Sequence, residues 1–156
     1  MRVIATERLT LEPQVAAHAD EMFALLCDPA IYEYENEPPS SIEWLRERFA
    51  RLESRRSGDG KQQWLNWVLR LRGAGLIGYV QATVFPTGVA LIAYVLSGRY
   101  WGRGLAREAG EAMLTELAAR YRVRSTCAVL GFAAALPGSC ADCAVASGEL
   151  LMMRRC

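Results

Sequence analysis

Apolar and polar positions change period several times along the chain, and each change marks an element. Leu9 and Leu11 alternate with polar neighbours between Glu7 and Pro13, the period-two pattern of a half-buried strand stopped by a proline. From His18 to Leu26 the spacing becomes helical, with Met22, Phe23, Leu25 and Leu26 beside Asp20 and Glu21, until Asp28-Pro29 breaks it. Ser40 or Ser41 then reads as a helix cap, followed by Glu43 in the first turn and by Ile42, Leu45, Phe49 and Leu52 on one face. After the turn Gly58-Asp59-Gly60, three strand-like runs cover Trp64 to Leu71, Leu76 to Phe85 and Val89 to Leu96. Gly73-Ala74-Gly75 and Pro86-Thr87-Gly88 separate them by hairpin lengths, so the three are expected to be antiparallel neighbours.

Helical spacing returns at Leu105, with Leu105, Ala109, Ala112, Met113 and Leu117 on the buried stripe. Two i,i+4 pairs, Arg107 with Glu111 and Glu116 with Arg120, are expected on the outer side. Ser125 to Leu130 reads as a further strand, parallel to the one before this helix. Residues 126–156 change character: they hold four of the five cysteines and seven alanines, and Phe132-Ala-Ala-Ala-Leu136 runs into Pro137-Gly138. Ser139 to Arg155 is compatible with a helix capped by Ser139, with Asp142 at its third position.

The chain has 156 residues, 52% hydrophobic and 22% charged, which suits one soluble domain with a sizeable core. No apolar run approaches the length of a membrane span, and the N-terminus meets charge within seven residues. The expected compartment is therefore the cytoplasm, with the cysteines as free thiols. A net charge of +1 provides no field for nucleic acid or an acidic membrane, so neither is an expected partner. The charges are nevertheless unevenly spread: residues 1–40 carry eight acids and two arginines, whereas residues 41–125 carry seven acids and fourteen bases. The middle of the chain is where an anion is welcome.

The segment that carries chemistry is Ser97-Gly98-Arg99-Tyr100-Trp101-Gly102-Arg103-Gly104, between a strand and a helix. A glycine-rich turn entering a helix offers unpaired backbone N–H groups and the positive end of the helix dipole, an arrangement suited to phosphate. Gly102 and Gly104 permit close backbone approach, and Arg99 and Arg103 add positive charge. The loop has neither the Gly-Lys-Ser/Thr ending of a P-loop nor the third glycine of a dinucleotide fingerprint.

In the string from Tyr94 to Ala109, the pattern Arg-x-x-Gly-x-Gly after a hydrophobic strand resembles the acetyl-CoA motif of the GNAT N-acyltransferase superfamily. Thr6-Glu-Arg-Leu-Thr-Leu-Glu12, Leu26-Cys-Asp-Pro-Ala-Ile31 and Leu76-Ile-Gly-Tyr-Val80 resemble the ribosomal-protein-alanine acetyltransferase branch. The resemblance covers about residues 5–130 of an expected single domain 1–156. It implies an α/β (α+β) GNAT-like fold, a mixed, mostly antiparallel sheet flanked by helices, with acetyl-CoA as cosubstrate and no metal. The cofactor-binding positions implied are Val95, Leu96, Arg99, Gly102, Arg103, Gly104 and Leu105. Amides from Arg99 through Leu105 would meet the pyrophosphate, while Val95 and Leu96 would pair with the pantetheine arm. Trp101 is expected to be a packing anchor.

The implied reaction is acetyl transfer to a primary amine by direct attack in a ternary complex. The acceptor is left open among a protein N-terminus, an amino acid, a polyamine and an antibiotic. The alternative is a catalytically impaired acyl-CoA-binding or interaction protein; a nucleotide-phosphate binding module is a more distant reading. No catalytic side chain is assigned. The glutamate that many relatives carry on the strand before the loop is absent from Ala90-Leu91-Ile92-Ala93, and no tyrosine follows Tyr121. Glu33, Glu35 and Glu37, near the family's acceptor side, are candidates to attract a cationic amine, one of them as base, with a solvated acidic loop as the plainer reading. Tyr32 and Tyr34 are read equally well as packing, and His18 as structural. Cys140 and Cys143 have the spacing of half a metal or redox site, but incidental thiols are the plainer reading.

The ending 131–156 departs from the family pattern: Leu130-Gly131-Phe132 comes at once where a helix is usual. A shifted GC-rich reading frame near residues 125–130 is expected to give such a tail, and resequencing the gene checks this. Without the usual closing hairpin, the last strand would keep a free edge that favours a homodimer or an exchanged C-terminal segment. Light scattering tests that expectation, which a monomeric mass would contradict.

Overall fold

The computed structural model describes residues 1–32 and 38–128. Six strands form one sheet in sequential order: β1 (Ile4–Ala5), β2 (Leu9–Pro13), β3 (Gln63–Leu71), β4 (Gly75–Val84), β5 (Val89–Leu96) and β6 (Ser125–Ala128). All neighbours are antiparallel except β5 and β6, which run parallel from Val89↔Ser125 to Ile92↔Ala128. The parallel pair needs a crossover, and α3 (Leu105–Tyr121) supplies it; α1 (Ala19–Leu26) and α2 (Ile42–Leu52) lie between β2 and β3. This is the mixed, mostly antiparallel architecture expected from the alternation of periods.

Strand alternation sorts the sheet into two faces. Leu9, Leu11, Leu65, Trp67, Leu69, Val80 and Ala82 pack with the α3 stripe Leu105, Ala109, Met113 and Leu117. Trp67, wholly buried, donates its indole N–H to the Arg2 carbonyl at 3.1 Å, so the N-terminal arm satisfies the one polar atom of that ring. On the other face Val68, Tyr79 and Val95 pack with Met22 and Leu26 of α1 and with Leu45 and Phe49 of α2. Ser41 caps α2, accepting from the Trp44 amide at 3.1 Å.

One outer-face expectation fails. Glu116 is 2% exposed, its Oε2 held by Arg2 Nη2 at 2.7 Å, while Arg120 stands 3.6 Å from Oε1. The arm preceding β1 covers this part of α3, and helical spacing alone carries no information about a cover contributed 114 residues away. Arg107 and Glu111 do pair on the surface, at 2.8 Å.

Glu12 ties β2 to β3, accepting from Arg70 Nε at 2.7 Å, with His18 Nε2 3.3 Å away. The Arg70 hydrogen bond, opposed by burial, holds the Glu12 carboxyl below its ordinary value of 4.5. A depressed carboxyl contributes stability above its unfolded-state value and loses it as pH falls through the folded-state value. Glu12→Gln is expected to cost about 1 kcal/mol at pH 7. Urea titrations at descending pH should show this difference closing below about pH 4.

Candidate functional site

The crossover from β5 to α3 makes a terminus built from backbone. Ser97 leaves the sheet with its amide bonded to Ile77 O at 2.9 Å, and a short 3-10 turn over Gly98–Tyr100 leads to Trp101. Gly102 and Gly104 both take left-handed conformations, with φ of 72° and 75°. Left-handed residues at alternate positions turn successive amides toward one side, the geometry of an anion nest. Gly104 caps α3 without a side chain, and the first helical bond runs from Glu108 N–H to Gly104 O at 3.0 Å. The amides of Leu105, Ala106 and Arg107 therefore lack intrahelical partners and sit at the positive end of a 17-residue helix. A Cβ at Gly102 would meet no atom within 4 Å, so the space in front of this turn is open.

An ion-paired strut fixes the turn. Glu108 accepts from Thr6 Oγ1 at 2.6 Å, from the Arg8 amide at 2.9 Å and from Arg8 Nε at 2.7 Å. Arg8 Nη1 in turn holds the Arg103 carbonyl at 2.9 Å. Burial works to raise the Glu108 carboxyl, but the bonds from Thr6 and Arg8 outweigh it and leave the group below its ordinary range. The strut joins residues about a hundred positions apart, so sequence inspection missed it; the only signal was the charge of Arg8 and Glu108 itself.

Next to the turn, one edge of β5 carries no strand among the described residues. β6 accompanies β5 only as far as Ile92, leaving Ala93 to Leu96 without a described neighbour on that side. The direction of the β5 peptide groups follows from the β4–β5 ladder. Phe85 N–H bonds Val89 O and Ser97 N–H bonds Ile77 O, so alternate residues Val89, Leu91, Ala93, Val95 and Ser97 face β4. Tyr94 and Leu96 consequently turn their N–H and C=O groups away from β4, with the Leu96 carbonyl accepting from Trp101 Nε1 at 2.8 Å.

A cleft of about 1140 Å³ runs from this turn across the α1/α2 face of the sheet, slightly above the usual range for small-molecule sites. Val95, Leu96, Gly102, Gly104 and Leu105 line it; Arg99 and Arg103 do not, and are exposed on the loop. Arg103 stacks over Tyr100 at 5.8 Å. Trp101 is not the packing anchor expected from sequence. It is 53% exposed and lines the cleft, because its N–H is drawn to the strand carbonyl rather than into the core. Tyr94 and Trp44 join it as exposed aromatics around the same cleft.

His18 takes no part: its Nδ1 accepts from the Val15 amide at 3.1 Å, capping the 3-10 turn over Ala16–His18. Glu33, Glu35, Tyr34, Glu37, Cys140 and Cys143 lie outside the described residues, as do the expected helix from Ser139 and the rest of the tail. Among the described residues there is no group of three or more His, Cys, Asp or Glu able to hold a metal, and no helix long and apolar enough to cross a membrane.

The mixed sheet and the glycine-built N-terminus of α3 together frame the candidate site. A profile of the acetyltransferase (GNAT) domain matches residues 8–131, and the chain belongs to that family. Among solved structures, RimL, a ribosomal L7/L12 α-N-protein acetyltransferase, in complex with coenzyme A has a TM-score of 0.66 at 19% identity, over 78% of this chain and 71% of that one. The Salmonella typhimurium acetyltransferase that modifies the N-terminal serine of ribosomal protein L7/L12 has a TM-score of 0.63 at 18% identity, covering 76% and 69% of the two chains. A GNAT-family acetyltransferase from Bacillus anthracis has a TM-score of 0.62 at 20% identity, covering 81% and 72%. At these identities the likeness is one of fold. No curated protein matches the chain.

Proposed function

We propose that the chain transfers an acetyl group from acetyl-CoA to a primary amine by direct attack in a ternary complex. The observation that carries this reading is the left-handed Gly102 and Gly104 turn, which leaves the first amides of α3 unpaired beside the open stretch of β5. In this reading the pyrophosphate lies on the amides of the turn through Leu105, with Arg99 and Arg103 contributing charge from the loop surface. The pantetheine arm runs along Val95 and Leu96 as an added strand does, using the outward peptide groups of Tyr94 and Leu96. The coenzyme A complex of RimL, a protein of the same fold, supports a CoA-type ligand.

The chemistry asked of the chain is modest. The amine lone pair attacks the thioester carbonyl carbon, a C–N bond forms, the C–S bond breaks, and the thiolate takes up a proton as the ammonium loses one. Since Trp101 already holds the Leu96 carbonyl, the Leu96 N–H is the open group best placed to receive the developing oxyanion. The names of the ribosomal-protein acetyltransferases support a protein N-terminus as acceptor beside small-molecule amines.

Calorimetric titration with CoA, acetyl-CoA and ATP, followed by thiol release across an amine panel, tests the proposal. Preference for the CoA ligands together with amine-dependent thiol release is the expected result. Absence of a CoA preference would overturn it, whereas tight CoA binding without thiol release would point to a binding protein. Because Arg8 secures the turn without lining the cleft, Arg8→Met is expected to weaken CoA binding about ten-fold by calorimetry.

A further inference from the structure

The end of the sheet remote from the glycine turn carries a charge that the whole-chain balance of +1 conceals. The length of α3, about 25 Å, separates the two ends. At its C-terminal end a hollow of about 530 Å³ lies between the helix and the β4–β5 hairpin, with Gln63, Phe85, Tyr121, Arg122 and Arg124 in its lining. Arg56 bridges to Gln63, and Lys61 stands in the turn that leads to β3. Arg55, Arg120 and Glu116 are within electrostatic reach of the Tyr121 hydroxyl, and Arg2 holds Glu116. The described carboxylates of this end are Glu53, Asp59 and Glu116, and each is engaged: Glu53 by the Ala16 amide, Asp59 by Ser57 and the Lys61 amide, Glu116 by Arg2.

Several guanidinium groups elsewhere are answered by acids: Arg8 by Glu108, Arg46 by Asp20, Arg70 by Glu12 and Arg107 by Glu111. Here Arg55 donates to the Gln14 carbonyl and Arg124 to the Thr87 carbonyl, both at 3.2 Å, while the Arg56 and Arg122 side chains meet no carboxylate among the described residues. Backbone conformation singles out two of these four. Arg55 and Arg122, with φ of 59° and 55°, are the only non-glycine residues in the left-handed region among those described. Arg122 caps α3, where glycine is the usual residue because a Cβ strains the left-handed backbone. A cation in the last helical turn, as Arg51 and Arg120 are, already meets the helix dipole without that strain. Strain kept at two arginines points to a use for their charge.

The residues outside the description do not reverse this charge. Residues 129–156 hold Asp142 and Glu149 against Arg154 and Arg155. Glu33, Glu35 and Glu37 are tethered between Tyr32 and Pro38, ahead of the start of α2, whereas Arg55 follows its end and the hollow lies on the α3 face.

We infer that this end of the molecule binds a single-stranded nucleic acid, with phosphates on Arg55, Arg56, Arg122 and Arg124 and one base in the hollow beside Phe85 and Tyr121. Guanidinium forks match phosphate oxygens, and a basic surface with aromatic side chains takes successive nucleotides with little regard to sequence. The hollow is within the size range of small-molecule sites, large enough for a base. An acidic peptide or an anionic lipid surface answers the charge and leaves the hollow empty.

Fluorescence anisotropy on the full chain, with CoA at saturation, tests the inference with a fluorescein-labelled oligouridylate of about twelve nucleotides. Sodium polyphosphate, sodium polyglutamate and phosphatidylglycerol vesicles serve as competitors. The oligouridylate is expected to bind with a log–log salt slope of about −3, four phosphates at about −0.7 each, and each competitor to be at least about ten-fold weaker. Arg122→Gly is expected to melt no lower than the parent, since glycine suits φ 55°, while losing about three- to ten-fold in oligouridylate affinity and about 0.7 of the slope. Arg56→Gln should behave alike, and Arg46→Gln, an exposed arginine of α2, should leave the affinity unchanged. Absence of salt-dependent binding, binding that CoA displaces, an affinity unchanged in both Arg122→Gly and Arg56→Gln, or a competitor equal to the oligouridylate would overturn the inference.

Discussion

A Gly102→Val variant is expected to lose at least about 100-fold in CoA affinity, equivalent to ~2.7 kcal/mol. Two effects must be separated. A β-branched residue at φ 72° carries backbone strain of about 1–3 kcal/mol, which lowers stability whatever the site binds. Gly60 provides the control, since it has the same φ of 72° and, like Gly102, no atom within 4 Å of the place a Cβ would take, but it lies in the turn after α2. Gly60→Val should therefore lose comparable stability and keep its CoA affinity. Calorimetry on both variants, with melting curves alongside, isolates the part of the effect due to a side chain standing in the proposed pyrophosphate site. Unchanged affinity in Gly102→Val would refute the placement of the cosubstrate on this turn.

Gly78→Ala should produce the largest loss of stability from a single added methyl group. The Cβ of an alanine there would stand 2.1 Å from Val95 O and 3.0 Å from Leu96 Cα, both backbone atoms of β5. Neither can rotate aside, so β5 must move bodily away from β4. Overpacking of this kind costs about 1–3 kcal/mol, and a rigid backbone neighbour puts the expectation at the upper end. For a chain of this size each kcal/mol lowers the melting temperature by about 2–4 °C, so a drop of about 6–12 °C is expected. Gly58→Ala, with nothing within 4 Å and no left-handed φ, should stay within about 0.5 kcal/mol of the parent. Because the proposed pantetheine contacts use the outward peptide groups of β5, Gly78→Ala should also weaken CoA binding. A melting temperature equal to that of Gly58→Ala would show that β4 and β5 separate more easily than their close approach implies.

Local pattern was enough for the elements around the site. The alternation in Val89 to Leu96, the helical stripe beginning at Leu105 and the glycine spacing between them located β5, α3 and the turn, and each is where it was expected. These features are legible because backbone geometry repeats over two or 3.6 residues, so a few neighbouring side chains reveal it. The parallel run of Ser125 to Ala128 beside β5 was legible for a related reason: a strand, helix and strand in succession must cross over.

What failed to be legible depended on partners distant in sequence. Glu116 looks like a surface residue in any helical projection, and it is buried only because Arg2 and the N-terminal arm cover it. Trp101 looks like a core aromatic, yet the free Leu96 carbonyl holds it at the cleft. Arg8 is an ordinary polar position of an N-terminal segment until Glu108 and the Arg103 carbonyl are found beside it. Arg56 and Arg122 belong to two segments with no shared motif, and only the fold brings them to one end of the sheet.

The sequence by itself determined the order and kind of the elements and the glycine turn that opens α3, because those follow from side-chain period and from the backbone freedom of two glycines. Only the tertiary structure decided which peptide groups of β5 face outward, what pins the turn and which arginines gather at the far end of α3. Each of those is settled by hydrogen-bond register and by contacts between residues far apart in the chain, and no local pattern encodes them.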